Sequence, residues 1–90
     1  MEVKDSQRLL TDYAELGSEQ AFRELVGRYV DLVHSAAVRL VSGDRHLAED
    51  LTQMVFLDLA KSARRLPRAV SLGGWFYRYT CFTASKVMRV

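Results

Sequence analysis

A single cysteine, Cys81, stands among the 90 residues, which excludes an internal disulfide and any multi-cysteine zinc site. That usage suits a reducing compartment, and the apolar, aromatic stretch around Cys81 predicts a small buried hydrophobe. Proline is as scarce: Pro67 is the only one, so little interrupts helix before it. No apolar run approaches the roughly 20 residues of a membrane-spanning helix. Met1 to Asp5 leads into charged sequence without the apolar core of a signal peptide. The expectation is a cytoplasmic chain with no membrane partner.

Acid is missing from the C-terminal third. All eleven acids lie between Glu2 and Asp58, beside six of the thirteen basic residues, a net −5. From Leu59 onward there are seven basic residues and no acid, a net +7, and the whole chain carries +2. A concentrated basic segment suits a polyanion, either nucleic acid or an acidic membrane surface, although a solvated face has the same composition.

What is present is helical periodicity. With 49% hydrophobic and 27% charged residues, the chain has the make-up of one globular domain. The first helix is expected over about 4–16, with Leu9, Tyr13 and Leu16 on its inner face. Gly17 suits a left-handed C-terminal position and Ser18 the next N-cap. A second helix over 19–41 carries the clearest stripe: Phe22, Leu25, Val26, Tyr29, Leu32, Val33, Ala36, Ala37 and Leu40. Ser42-Gly43-Asp44 ends it, and Asp44 can cap a third helix over 45–65, striped by Leu47, Leu51, Met54, Val55 and Leu59, with Phe56, Ala60 and Ala63 as a second apolar edge. A loop over 67–74 follows, where Gly73 and Gly74 permit unusual backbone conformations. A fourth helix starts near Gly74 or Trp75 and is still running at Val90, which suggests a chain cut from something longer. No alternating strand pattern survives. The fold class expected is all-α, a compact bundle of about four helices in one domain over 1–90.

Catalytic constellations are wanting. His34 and His46 lack the i, i+4 pairing of a metal face, and Glu49 and Asp50 lie about 100° apart on a helix, poorly placed for paired acid–base work. No phosphate-loop lysine accompanies Gly73-Gly74. The expectation is no enzyme, no metal and no cofactor.

Two surfaces remain. Glu49, Asp50 and Gln53, at i, i+1 and i+4, make one acidic, hydrogen-bonding patch beside Phe56 and Leu57. The same spacing also suits a solvated face with acids near the positive helix end. Further on, Trp75, Phe76, Tyr77, Tyr79 and Phe82 are interleaved with Arg78, Lys86 and Arg89. Five aromatics in eight positions cannot all point inward. Those left outside, beside cations, have the make-up of surfaces that hold single-stranded nucleic acid. Phe76 and Tyr79 suit the core best.

The run Asp44-Arg45-His46-Leu47-Ala48-Glu49-Asp50-Leu51-Thr52-Gln53-Met54-Val55-Phe56-Leu57 resembles the region 2.2 signature of extracytoplasmic-function sigma factors, in the sigma-70 family. Ala21-Phe22-Arg23-Glu24-Leu25-Val26 is similar to region 2.1, and Gly74-Trp75-Phe76-Tyr77-Arg78 to the opening of regions 2.3 and 2.4. Two departures stand out: Met54 where the family often has Glu, and Phe82 in a stretch commonly polar. No second helix-turn-helix domain follows, so recognition of the −35 element is expected to be missing.

The resemblance implies a sigma region 2-like bundle whose Glu49, Asp50, Gln53, Phe56 and Leu57 dock on the clamp helices of the largest subunit of core RNA polymerase. It implies that Arg68, Ser71, Trp75, Tyr77, Arg78, Lys86 and Arg89 meet promoter DNA, the non-template strand of the −10 element. The loop over 67–74 would help to pocket a flipped base. An anti-sigma factor is a further partner that it allows. Apart from the resemblance, the same helices suit a protein-only adaptor or antitoxin-like module.

Overall fold

Local sequence sets the helix ends. The computed structural model describes residues 2–67 and 71–88, with only the backbone described for 2–5. Helix α1 spans Glu2–Leu16. It ends where Gly17 turns left-handed at φ 69° and donates its N–H to the Tyr13 carbonyl at 3.0 Å. Ser18 then caps α2, Glu19–Leu40, by accepting from the Ala21 N–H at 3.1 Å. At the far end of α2, Ser42 takes the left-handed conformation at φ 57°, followed by Gly43 at 83°. Gly43 donates to the Val38 carbonyl at 2.9 Å, the long bond of a Schellman motif. Asp44 caps α3, Arg45–Ser62, through the Leu47 N–H at 3.1 Å.

The last turn expected of α3 tightens into a 3-10 turn, Ala63–Arg65. Leu66 is extended, with ψ 136°, as a residue before proline must be. Helix α4 spans Leu72–Met88 and so begins earlier than the sequence suggests. Gly73 and Gly74 belong to its first turn and need no left-handed backbone. The Trp75 N–H donates to the Ser71 carbonyl at 2.9 Å, which recruits both glycines into the helix.

Helix α2 is the spine, packed against each of the other three. The main core forms around Phe76 of α4, which is fully buried. Its ring meets Tyr29 of α2 at 4.8 Å and Phe56 of α3 at 5.2 Å, so one side chain holds three helices together. Truncating such a residue costs about 3–5 kcal/mol. A smaller cluster of Ala37, Val41, Ala48, Leu51 and Ala84 joins the same helices, its three alanines allowing close approach.

The stripe of α1 is rotated from its expected position, and that of α3 loses Met54 and gains Thr52. On α1, Ser6, Leu10 and Ala14 face inward, while Leu16 is 78% exposed. Ser6 can be buried because its hydroxyl accepts from the Tyr29 hydroxyl at 2.9 Å. On α3, Thr52 and Phe56 turn inward and Met54 is exposed; the Thr52 hydroxyl donates to the Ala48 carbonyl at 2.8 Å. Cys81 is half-buried, not buried, because it lies on the flank of α4 away from Phe76 and Thr83.

Candidate functional site

Burial of Ala48, Leu51, Val55 and Leu59 fixes which side of α3 is left outside. Glu49, Asp50 and Gln53 all lie on that outer side, exposed together. Their apolar neighbours differ from expectation. Leu57 is 60% exposed, whereas Phe56 is buried and spends its ring on Phe76. Phe56 instead helps to form a groove of about 360 Å³ between α2 and α3. Phe22, Val26 and Val30 line it from α2, and Leu57 and Ala60 from α3, with Gln53 among the lining residues. An amide beside an apolar trough gives this face both a directional and a hydrophobic contact.

Helix α4 supplies the second surface. Trp75, Tyr79, Phe82 and Lys86 fall at i, i+4, i+7 and i+11 and form one continuous row. Trp75 and Tyr79 stack with ring centroids 4.9 Å apart and planes only 7° from parallel. Tyr79 meets Phe82 at 5.7 Å, and the Lys86 ammonium lies 4.9 Å from the Phe82 ring centre. Trp75 and Tyr79 are half-buried, and Phe82 is 53% exposed. Tyr77 is exposed too, but two residues carry it about 200° round the helix from Trp75, onto the other flank. These two rings therefore do not form one platform. Phe82, absent from the expected site residues, does continue it. The i+3, i+4 spacing from Trp75 was the signal that could have found it.

Tyr79 is aimed by the last acid in the sequence. Its hydroxyl donates to Asp58 Oδ2 at 2.8 Å, which links α4 to α3 and fixes the ring against Trp75. Accepting that hydrogen bond, the Asp58 carboxylate pushes the Tyr79 phenol above its ordinary pKa of 10.0; burial and the negative charge act in the same direction.

The cations divide. Arg78 and Lys86 stand exposed on α4, a helix with no acid. A Cβ placed on Gly74 would meet an Arg78 terminal nitrogen at 3.5 Å and the Ser71 hydroxyl at 3.7 Å, so the guanidinium folds back over Gly74 towards Ser71. Arg64, by contrast, donates through Nε to the Ala14 carbonyl at 3.1 Å, a bond to the last turn of α1. Arg68 and Arg89 lie outside the described residues, as do residues 69 and 70 of the expected pocket loop. Among the described residues, no group of three His, Cys, Asp or Glu is placed to hold a metal, and no helix is long and apolar enough to cross a membrane.

A family model described as Sigma-70 region 2 matches residues 25–89, which covers most of α2 and all of α3 and α4. No curated protein and no solved structure matches the chain. With an all-helical bundle and a family match over well more than half of its length, this chain belongs to the sigma-70 region 2 family, whose members are non-enzymatic domains of transcription initiation factors.

Proposed function

We propose that the chain is the region 2 unit of a sigma factor of the extracytoplasmic-function class, which grips core RNA polymerase through α3 and the −10 element through α4. The observation that carries this reading is the segregation of two exposed surfaces. Carboxylates and an amide beside Leu57 occupy the outer side of α3, and rings with cations occupy an acid-free α4.

Asp50 and Gln53 supply polar contacts to the clamp helices, Glu49 adds charge, and Leu57 adds apolar area at the edge of the groove that Phe56 helps to form. Ser71, just before α4, and Arg78 within it lie close enough to share one phosphate, and Lys86 adds a charge further along the helix. Arg68 and Arg89, outside the described residues, are further phosphate contacts of this reading. Trp75 offers ring surface on one flank and Tyr77 on the other. A base extruded from the non-template strand loses a few kcal/mol of stacking, which pocket contacts offset. No bond in the DNA is made or broken. Binding of the unpaired strand shifts the duplex towards its open state, because the protein has more affinity for that state.

The test is fluorescence anisotropy of a labelled single-stranded −10-like oligonucleotide titrated with the chain. Binding that weakens steeply between 50 and 200 mM salt supports the reading. Capture of polymerase without any oligonucleotide binding would turn it into a protein-only adaptor.

A further inference from the structure

We infer that Tyr13 of α1 is a positioning residue for polymerase docking: it sets the width of the groove between α2 and α3, which receives an apolar side chain of the clamp helices. This rests on the reading of the outer side of α3 as the docking surface. It gives a part to α1, a helix that lies wholly outside the matched residues 25–89.

Tyr13 stands behind one end of the groove and touches both of its walls. Phe22, on the α2 wall, has the Tyr13 ring against it, with centroids 4.7 Å apart. Ala60, on the α3 wall, accepts the Tyr13 hydroxyl through its carbonyl at 3.2 Å. That carbonyl is one of the last four of α3, which lack the regular partners of an α-helix, so the bond also caps the helix end. Among the described residues, the backbone of α1 packs on α2, on α4 and on the 3-10 turn, but not on α3. The Tyr13 side chain spans that gap.

A second bond braces the first. Arg64 Nε donates to the Ala14 carbonyl at 3.1 Å, one of the last four of α1. The two bonds run in opposite directions, from α1 to α3 and from the 3-10 turn back to α1. They border a separate cleft of about 290 Å³, and Ala60 lines both that cleft and the groove. Open space on both sides leaves Ala60 little packing. The Tyr13 hydrogen bond, rather than neighbouring side chains, fixes this wall.

The groove opens onto the docking surface, which identifies its occupant. Gln53 and Leu57 line it, and both also belong to the exposed face that carries Glu49 and Asp50. A helical partner held by Gln53 lies along the mouth and places one apolar side chain inside. A wall free to move inward closes that space in the free protein, and the partner must then reopen it. Packing is felt to within one methylene, so small shifts of the wall count.

The experiment measures the affinity of the 90-residue chain and its variants for a fragment carrying the polymerase clamp helices, and for a single-stranded −10-like oligonucleotide. Tyr13→Phe keeps the ring against Phe22 and removes the hydroxyl. It is expected to weaken fragment binding roughly 2- to 12-fold, the contribution of one hydrogen bond, and to leave oligonucleotide affinity unchanged. Leu57→Ala, within the groove, and Asp50→Ala, outside it, complete two double-mutant cycles. The effect of Tyr13→Phe should shrink in the Leu57→Ala background and persist in full in the Asp50→Ala background, which a merely structural role would not produce. Arg64→Met cuts the bracing bond and should couple to Leu57→Ala in the same way; it takes over the test if circular dichroism shows Tyr13→Phe to be unfolded. If Tyr13→Phe binds the fragment as the parent does, or is additive with both partners, the groove-setting role is refuted while the docking reading stands. If Tyr13→Phe weakens fragment and oligonucleotide alike, Tyr13 serves the fold as a whole and the inference is overturned. A parent chain that does not bind the fragment removes both.

Discussion

Two threonines three residues apart on α4 provide a matched experiment on stability. Thr80 and Thr83 are both essentially buried, at 0% and 1% exposure. The Thr80 hydroxyl donates to the Phe76 carbonyl at 2.6 Å, whereas the Thr83 hydroxyl has no hydrogen-bond partner. A buried polar group left unpaired costs about 1–3 kcal/mol, and a satisfied one does not. Thr83→Val keeps the β-branch and nearly the same shape while removing the orphan oxygen. The expected gain is about 1 kcal/mol, the low end of the range, because the surrounding atoms were packed around a hydroxyl. For a domain of this length that raises the melting temperature by about 4–8 °C. In urea, with a slope of about 1–3 kcal/mol/M, the midpoint rises by roughly 0.3–1 M at unchanged slope. Thr80→Val, made in parallel, removes a working bond and is expected to lower stability by about 0.5–1 kcal/mol. Helicity followed by circular dichroism reads both. Equal losses from the two substitutions would mean that Thr83 is satisfied in solution, and would refute the reasoning.

Three further outcomes follow from the site. Tyr79→Phe keeps the stacked ring but loses the bond to Asp58, which at a half-buried position costs about 0.5–1.5 kcal/mol. Because the folded phenol ionises above its ordinary value of 10.0, its contribution is complete below pH 10 and is lost as pH rises through the folded value. Alkaline unfolding curves of the parent should therefore fall more steeply than those of Tyr79→Phe, and parallel curves would contradict the assignment. Asp50→Ala is expected to reduce capture of the polymerase clamp-helix fragment several-fold while stability stays within about 0.5 kcal/mol, since the carboxylate is exposed. Unchanged capture removes Asp50 from the docking surface. Arg78→Ala should weaken different oligonucleotides almost equally and reduce the salt slope by about 0.7, as loss of a phosphate contact requires. A loss confined to one base would place Arg78 in a pocket instead.

The features legible in the sequence were those decided within a few residues. Gly17, Ser18 and Asp44 act as helix punctuation because their backbone freedom or short oxygen-bearing side chains suit only those places. Most of the inner stripe of α2 was legible because a helix packed on several sides buries a broad apolar band; Leu32, expected within it, is 39% exposed. Ser6 was not legible as a core residue, since its burial depends on the Tyr29 hydroxyl more than twenty positions away. Thr52 escaped notice for a similar reason, its polarity cancelled by a bond one turn back, and Met54 is exposed where the stripe placed it inside. The start of α4 was misplaced because paired glycines signal a turn, whereas the Ser71 carbonyl draws them into a helix. The acidic cluster of α3 was found whole, but the row of α4 was read by composition rather than by spacing. That reading grouped Tyr77 with Trp75 although they lie on different flanks, and left out of the group Phe82, which lies in the same row as Trp75 and Tyr79.

The central claim is that one small bundle holds polymerase and an unpaired strand at the same time, on different helices. Sedimentation of a labelled −10-like oligonucleotide with this chain, with and without the clamp-helix fragment, measures that directly. The label should move into a heavier three-component complex when the fragment is added, with the oligonucleotide retained. Release of the oligonucleotide on addition of the fragment would mean that both partners use one surface, and would contradict it.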